Sequence, residues 1–300
     1  MKTIIRIFLL IIISNQTFGQ DFNADFGRYF KEKNQAKQKE TLEKWTNSNP
    51  NDPELYTCYF NYYFNKSRNE VLTLSKEEPD GERLEFKDSL NKTAGYIGSE
   101  VKFNKGYFQQ GIDKINKGIE LYPDRLDMRF GAIYAFGEVK DWANFTNEIV
   151  KAVKHSAINN NEWTWTNNIK QKEGKDFFLS SIQTYQLQLY NTGDDKLLNN
   201  MREIATEILK LYQTHVESLS NLSITYMLKN EYDKAIEVLL KAESINPVDF
   251  IVLSNVAHAY KLKGNKLKAI EYYEKTIKYG DDQSVDYAKK QIIELKKQTL

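Results

Sequence analysis

Three histidines, one cysteine, three pairs of adjacent acids and two alternating tryptophans are the residues of this 300-residue chain whose chemistry could carry a reaction or hold a ligand. His155, His215 and His258 would serve as metal ligands or general bases. None has a second His, Cys or carboxylate at i+3 or i+4, and no His-Glu-x-x-His, Cys-x-x-Cys or calcium-loop spacing occurs. His155 and His215 fall near expected helix ends, where a partial positive charge is favourable. Cys58 lies among Tyr56, Tyr59 and Phe60 and reads as a small buried hydrophobe rather than a nucleophile. As a single cysteine it has no intramolecular disulfide partner. The acid pairs Glu77-Glu78, Asp194-Asp195 and Asp281-Asp282 precede or interrupt helices, where Asp and Glu favour the N-terminus. Paired catalytic carboxylates must instead face each other across a substrate. No Gly-x-Ser-x-Gly, phosphate loop or Gly-x-Gly-x-x-Gly sits at a strand-to-helix junction, and the sequence shows no strand pattern to host one. The expectation is therefore a chain that is not an enzyme and needs no metal or cofactor. Trp163 and Trp165 alternate, so an extended segment would turn both to one side as a stacking platform for a ligand. The preferred alternative is that they pin an insertion onto the fold.

The elements that would position these residues announce themselves by an internal repeat. Leu219-Ser220-Asn221 recurs as Leu253-Ser254-Asn255, and Lys234-Ala235-Ile236-Glu237 as Lys268-Ala269-Ile270-Glu271. Both recurrences are 34 residues apart, a period of stacked helical hairpins. In the unit from Val216, Leu219, Leu222, Ser223 and Tyr226 share one helical face at i, i+3, i+4 and i+7. Asn230 falls in the turn. Tyr232, Ala235, Leu239 and Ala242 share a face of a second helix, and Asn246-Pro247 ends the unit because Pro cannot continue a helix. The unit from Phe250 repeats this with Leu253, Ala257, Tyr260, Gly264, Ala269, Tyr273 and Thr276.

These residues resemble the tetratricopeptide repeat, a helix-turn-helix unit. The resemblance spans 216–283, with Thr276 in place of a second Ala and Asp281 where Pro is usual. Weaker copies follow at 92–125 (Gly106, Gly111, Ile115, Gly118, Pro123), 126–159 (Ile133, Phe136, Trp142, Ile149, Ala152) and 182–215 (Tyr185, Leu189, Met201, Ala205, Ile208). Leu42 and Trp45 precede Asn49-Pro50, and Tyr56, Tyr59, Phe60 and Tyr63 form another aromatic first helix. The fold class expected is all-α: a right-handed α-solenoid of antiparallel hairpins, about five to seven repeats closed by a C-terminal capping helix. Its divisions are a leader at 1–19, degenerate helical repeats at 20–91 with a polar loop at 66–83, and two repeats at 92–159. An insertion at 160–181, three repeats at 182–283 and a cap at 284–300 complete the chain.

In such arrays the first helices line a concave groove. The resemblance implies that Tyr96, Glu100 and Phe103, then Asp127, Phe130 and Tyr134, then Gln183, Gln186 and Tyr190 point into it. Ser220, Ile224 and Met227, then Ser254, His258 and Lys261, continue the series. The expected partner sites are Tyr96, Glu100, Phe130, Tyr134, Gln186, Tyr190 and His258, holding a protein or peptide segment. The series lacks the repeated Lys/Asn clamp that grips a C-terminal carboxylate in chaperone-binding members. A second reading is a glycan or small ligand stacked on the groove aromatics with Trp163 and Trp165. A third, an all-helical hydrolase closed into a ring, conflicts with the strict 34-residue offset.

Composition bounds the rest. Hydrophobic residues make up 41% and aromatics 13%, enough for a long helical core, and the formal net charge is +1, which gives no nucleic-acid or anionic-membrane footprint. At the N-terminus, Met1-Lys2-Thr3-Ile4-Ile5-Arg6 is a basic region, Ile7 to Ile13 is apolar, and Thr17-Phe18-Gly19 offers a cleavage site. That pattern reads as a signal peptide cut between Gly19 and Gln20. The expectation is a bacterial exported protein, periplasmic or extracellular, monomeric and not inserted in a membrane once cleaved.

Overall fold

The computed structural model describes residues 21–78 and 82–297; the leader expected at 1–19 lies outside them. Among the described residues, thirteen α-helices form six antiparallel pairs and a final helix. The pairs are α1 (Phe22–Lys31) with α2 (Gln35–Ser48), α3 (Pro53–Ser67) with α4 (Lys105–Leu121), and α5 (Leu126–Glu138) with α6 (Trp142–Ile158). Next come α7 (Gly174–Asn191) with α8 (Leu198–Leu211), α9 (Val216–Leu228) with α10 (Tyr232–Ile245), and α11 (Phe250–Leu262) with α12 (Lys266–Tyr279). The last helix, α13 (Asp282–Lys297), packs on α12.

The helix starts follow from local chemistry. Asp21, Asn34, Asn104, Asp141 and Asn265 each accept a backbone N–H three residues on, satisfying a donor that the first turn would otherwise leave bare. Pro53 opens α3, where its missing N–H is harmless. Five of the six hairpin turns share one backbone device, a residue at positive φ: Lys33, Lys140, Gly193, Asn230 and Gly264. Gly meets this conformation without cost, whereas a Cβ is crowded in it. Lys33→Gly is therefore expected to raise stability by up to about 1 kcal/mol, read as a rise in the urea midpoint; an unchanged or lowered midpoint would mean that the Lys33 turn is unstrained.

The α3–α4 turn is the sixth, and it departs from the sequence reading. The stretch 66–83 was expected to be a polar loop with a helical turn at most, but its residues 66–75 are helix and strand. Helix α3 runs to Ser67, and β1 (Arg68–Ser75), β2 (Arg83–Lys87) and β3 (Thr93–Phe103) form an antiparallel sheet in the order β1-β3-β2. The fold is mostly helical rather than all-α. The expected repeat at 92–125 is accordingly redrawn: its first half is β3, and the first helix that pairs with α4 is the aromatic α3. Gly111 and Gly118 make this pairing close. A Cβ at Gly111 would lie 3.4 Å from Phe64 N, and one at Gly118 would lie 2.9 Å from Tyr56 Cβ and Met128 Sδ. Between α6 and α7 the insertion is shorter than expected, because α7 begins at Gly174. It carries a two-stranded hairpin, β4 (Thr164–Trp165) with β5 (Ile169–Lys170).

Three contiguous cores run along the array. One holds Phe26, Leu42, Trp45, Leu55 and Cys58; the central one extends from Phe60 to Ile208; the third from Leu219 to Leu295. Cys58 is buried, and burial pushes its thiol well above the ordinary range, followed by the charges of Glu54 and Asp52. A thiol held protonated in this way is a packing group and a poor nucleophile. Among the described residues no helix is long and apolar enough to cross a membrane.

Candidate functional site

The first helices α7, α9 and α11 lie side by side, and a cleft of about 440 Å³ opens along them. A polar ladder ties the three together. Asn221 Nδ2 on α9 donates to Gln183 Oε1 on α7, and Asn255 Nδ2 on α11 donates to Ser220 Oγ on α9 at 2.8 Å. Asn221 and Asn255 are the same residue of the 34-residue period, and each reaches back to the preceding first helix, although to different acceptors. Leu187, Tyr190, Ile224 and Ile251 supply the apolar part of the cleft.

Gln186 is the unusual member. Its side chain lines the cleft and the residue is 1% exposed, yet neither its Oε1 nor its Nε2 has a hydrogen-bond partner among the described residues. A buried amide left unpaired costs about 1–3 kcal/mol per group, so natural proteins rarely keep one without use. An amide offers both a donor and an acceptor, which matches the paired C=O and N–H of a peptide backbone. Tyr190, one helical turn further along, is 48% exposed and presents its ring beside it.

The other residues expected in the groove are scattered. Tyr96 and Glu100 lie on β3, not on a first helix, because the repeat was counted back across the sheet; Phe103 is the last residue of the same strand. Phe130 is on α5 as expected, but it is buried under the insertion. Trp165, Phe177 and Tyr185 surround its ring at centroid distances of 6.1, 6.2 and 5.5 Å. Tyr134 is exposed on α5, edge-on to Phe64, and burial followed by the Glu138 carboxylate raises its hydroxyl pKa. His258 is half-buried on α11 with Nδ1 unpartnered; burial, then the Lys261 charge, lowers its pKa. It does not line the cleft.

The two tryptophans do not form a platform. Trp163 is fully buried, 5.1 Å from Phe178 and 5.6 Å from His155, while Trp165 is half-buried against Phe130 and Phe177. The hairpin they belong to is held by a charge cluster that sequence reasoning missed. Arg125 reaches Glu54 from Nη1 and Nη2 at 2.7 and 3.2 Å, and Asp127 from Nε and Nη2 at 2.8 and 2.7 Å. Burial works against the guanidinium charge, but the hydrogen bonds to Asp127 and Glu54 outweigh it and raise the pKa. Glu54 also accepts the Asn167 N–H at 2.7 Å, so the hairpin is fastened to α3 and α5 together. Nothing in the spacing of Glu54, Arg125 and Asn167 announces this contact. Among the described residues no three His, Cys, Asp or Glu side chains are grouped to hold a metal ion.

The family model described as the tetratricopeptide repeat matches residues 216–249 and 252–279. No curated protein matches the chain. Among solved structures, YrrB, described as a tetratricopeptide protein with an unusual peptide-binding site, is 14% identical over 83% of this chain and 97% of its own, with a TM-score of 0.42. The C-terminal part of a repeat-containing protein from Cytophaga hutchinsonii is 14% identical over 91% and 95%, with a TM-score of 0.44. A tetratricopeptide repeat protein from Parabacteroides merdae is 12% identical over 93% and 91%, with a TM-score of 0.37.

Proposed function

We propose that this chain, whose residues 216–249 and 252–279 match the tetratricopeptide-repeat model, is a non-catalytic scaffold that holds an extended segment of a partner protein in the cleft of α7, α9 and α11. The observation that carries this reading is Gln186, a buried amide that lines the cleft with both polar atoms unpaired among the described residues, beside the apolar Leu187, Tyr190 and Ile251. In the proposed complex it exchanges two hydrogen bonds with the partner's backbone. Leu187, Tyr190 and Ile251 take the apolar side chains. The polar ladder through Asn221 and Asn255 holds the helices at fixed spacing, so the partner segment bears most of the ordering cost. The chain is read as exported, with residues 1–19 as a cleaved leader. Taking each helix pair as one repeat gives six, with α13 as the cap.

Crosslinking and mass spectrometry on the native envelope fraction test this. One dominant protein partner is expected, with its affinity lowered about tenfold or more by Gln186→Ala/Tyr190→Ala, since hot-spot truncations exceed about 1 kcal/mol each. Equal recovery with the double variant would move the site away from this cleft. N-terminal sequencing of the same material is expected to begin at Gln20; a start at Met1 would remove the leader reading.

A further inference from the structure

The sheet at the α3–α4 turn carries an apolar face that the array leaves open. Leu72, Leu74 and Leu84 are 81%, 74% and 71% exposed. The register sets Leu72 opposite Ser99, and both Leu74 and Leu84 opposite Ile97, so these side chains share one face. Alternation along β3 puts Val101 and Phe103 on that face too. Phe103 continues it onto the helices: its ring is 6.3 Å from Phe108 on α4, which is 5.9 Å from Phe136 on α5. Between the sheet, α4 and the start of α6 runs a groove of about 1380 Å³. Small-molecule pockets occupy about 300–1,000 Å³, so this one has the size of a peptide site.

Its charges are uneven in a specific way. Each carboxylate in the groove is already engaged: Glu100 with Lys102 at 3.6 Å, Glu138 with Arg68 at 3.8 Å, Glu148 with Lys151 at 2.7 Å, and Asp141 as the cap of α6. Lys105 and Lys140 line the same groove, and their ammonium groups have no hydrogen bond or ion pair among the described residues. The two free charges are both positive, beside apolar surface.

We propose that this groove, separate from the α7–α9–α11 cleft, takes an extended partner segment in which aliphatic side chains alternate with carboxylates. The aliphatic side chains cover Leu74 and the Phe103–Phe108 surface, and the carboxylates meet Lys105 and Lys140. Period-two alternation lets one extended segment satisfy both.

Fluorescence anisotropy of the purified protein with three labelled decapeptides tests the proposal: alternating Leu/Glu, alternating Leu/Lys and alternating Ser/Glu. The Leu/Glu peptide is expected to bind at least about tenfold tighter than the other two. Lys105→Glu/Lys140→Glu should reverse the order in favour of Leu/Lys, which a merely structural role for the lysines would not do. Gln186→Ala/Tyr190→Ala should leave the order unchanged, separating this site from the cleft. Equal affinities, no binding at about 1 mM, or a Leu/Glu preference that survives the lysine reversal would overturn the proposal. So would a dimer by light scattering that Leu74→Asp abolishes, because it would give the face to a second copy.

Discussion

Arg125→Ala is expected to destabilise the protein by about 3–5 kcal/mol, because it leaves two carboxylates buried with no counter-charge. The Glu54 and Asp127 side chains are 9% and 10% exposed, so water cannot take over the role of the guanidinium. The damage should be local at first. Glu54 anchors the Asn167 N–H, so amide exchange is expected to speed up across 163–170 before it does in α9 to α12. The triple substitution Glu54→Leu/Arg125→Met/Asp127→Leu should recover much of the loss, since apolar replacement of a buried ionic cluster is often neutral or better. Urea unfolding of both variants checks this. A loss below about 1 kcal/mol for Arg125→Ala would mean that the cluster is solvated.

Trp163→Ala should cost a similar about 3–5 kcal/mol, the range for deleting a large buried aromatic. The ring fills the space between Phe178, His155 and the Arg129 guanidinium, which sits 5.9 Å from it. Trp163→Phe should cost less. Phe keeps part of the packing and removes an indole N–H that has no partner among the described residues, and an unpaired buried donor is itself unfavourable. Melting curves of the two variants separate these effects. The same burial bears on ligand recognition: a ring with no exposed surface cannot stack on a sugar. Oligosaccharide titrations are accordingly expected to leave Trp163 fluorescence unchanged, and quenching assigned to Trp163 would overturn its placement.

Some of this was legible from residue order because the physics is local. A helix whose apolar residues recur at i, i+3, i+4 and i+7 buries one face wherever it sits, so α9 to α12 could be read from spacing alone. The turn residues Asn230 and Gly264 were legible for the same reason. Gln186 and Tyr190 were expected together from their repeat positions, and both line the α7–α9–α11 cleft. The 34-residue period is broken between α3 and α4. Counting back by 34 from the regular repeats passed through the sheet and placed Tyr96 and Glu100 on a helix that does not exist. The strands do alternate, as in Arg83-Leu84-Glu85-Phe86-Lys87 and Glu100-Val101-Lys102-Phe103, but they flank the turn formers Pro79-Asp80-Gly81, so the stretch read as a polar loop.

The sequence by itself determined the amphipathic helices and turns of the regular repeats at 216–283, because those depend on neighbours within about one or two turns. Only the tertiary structure decided which helices are partners. It joined α3 to α4 across the whole sheet through the close approach at Gly111 and Gly118, covered Phe130 with the 163–170 hairpin, and left the Gln186 amide buried without a partner among the described residues. Those outcomes depend on contacts between residues tens of positions apart, whose closure is governed by packing and buried charge rather than by local periodicity.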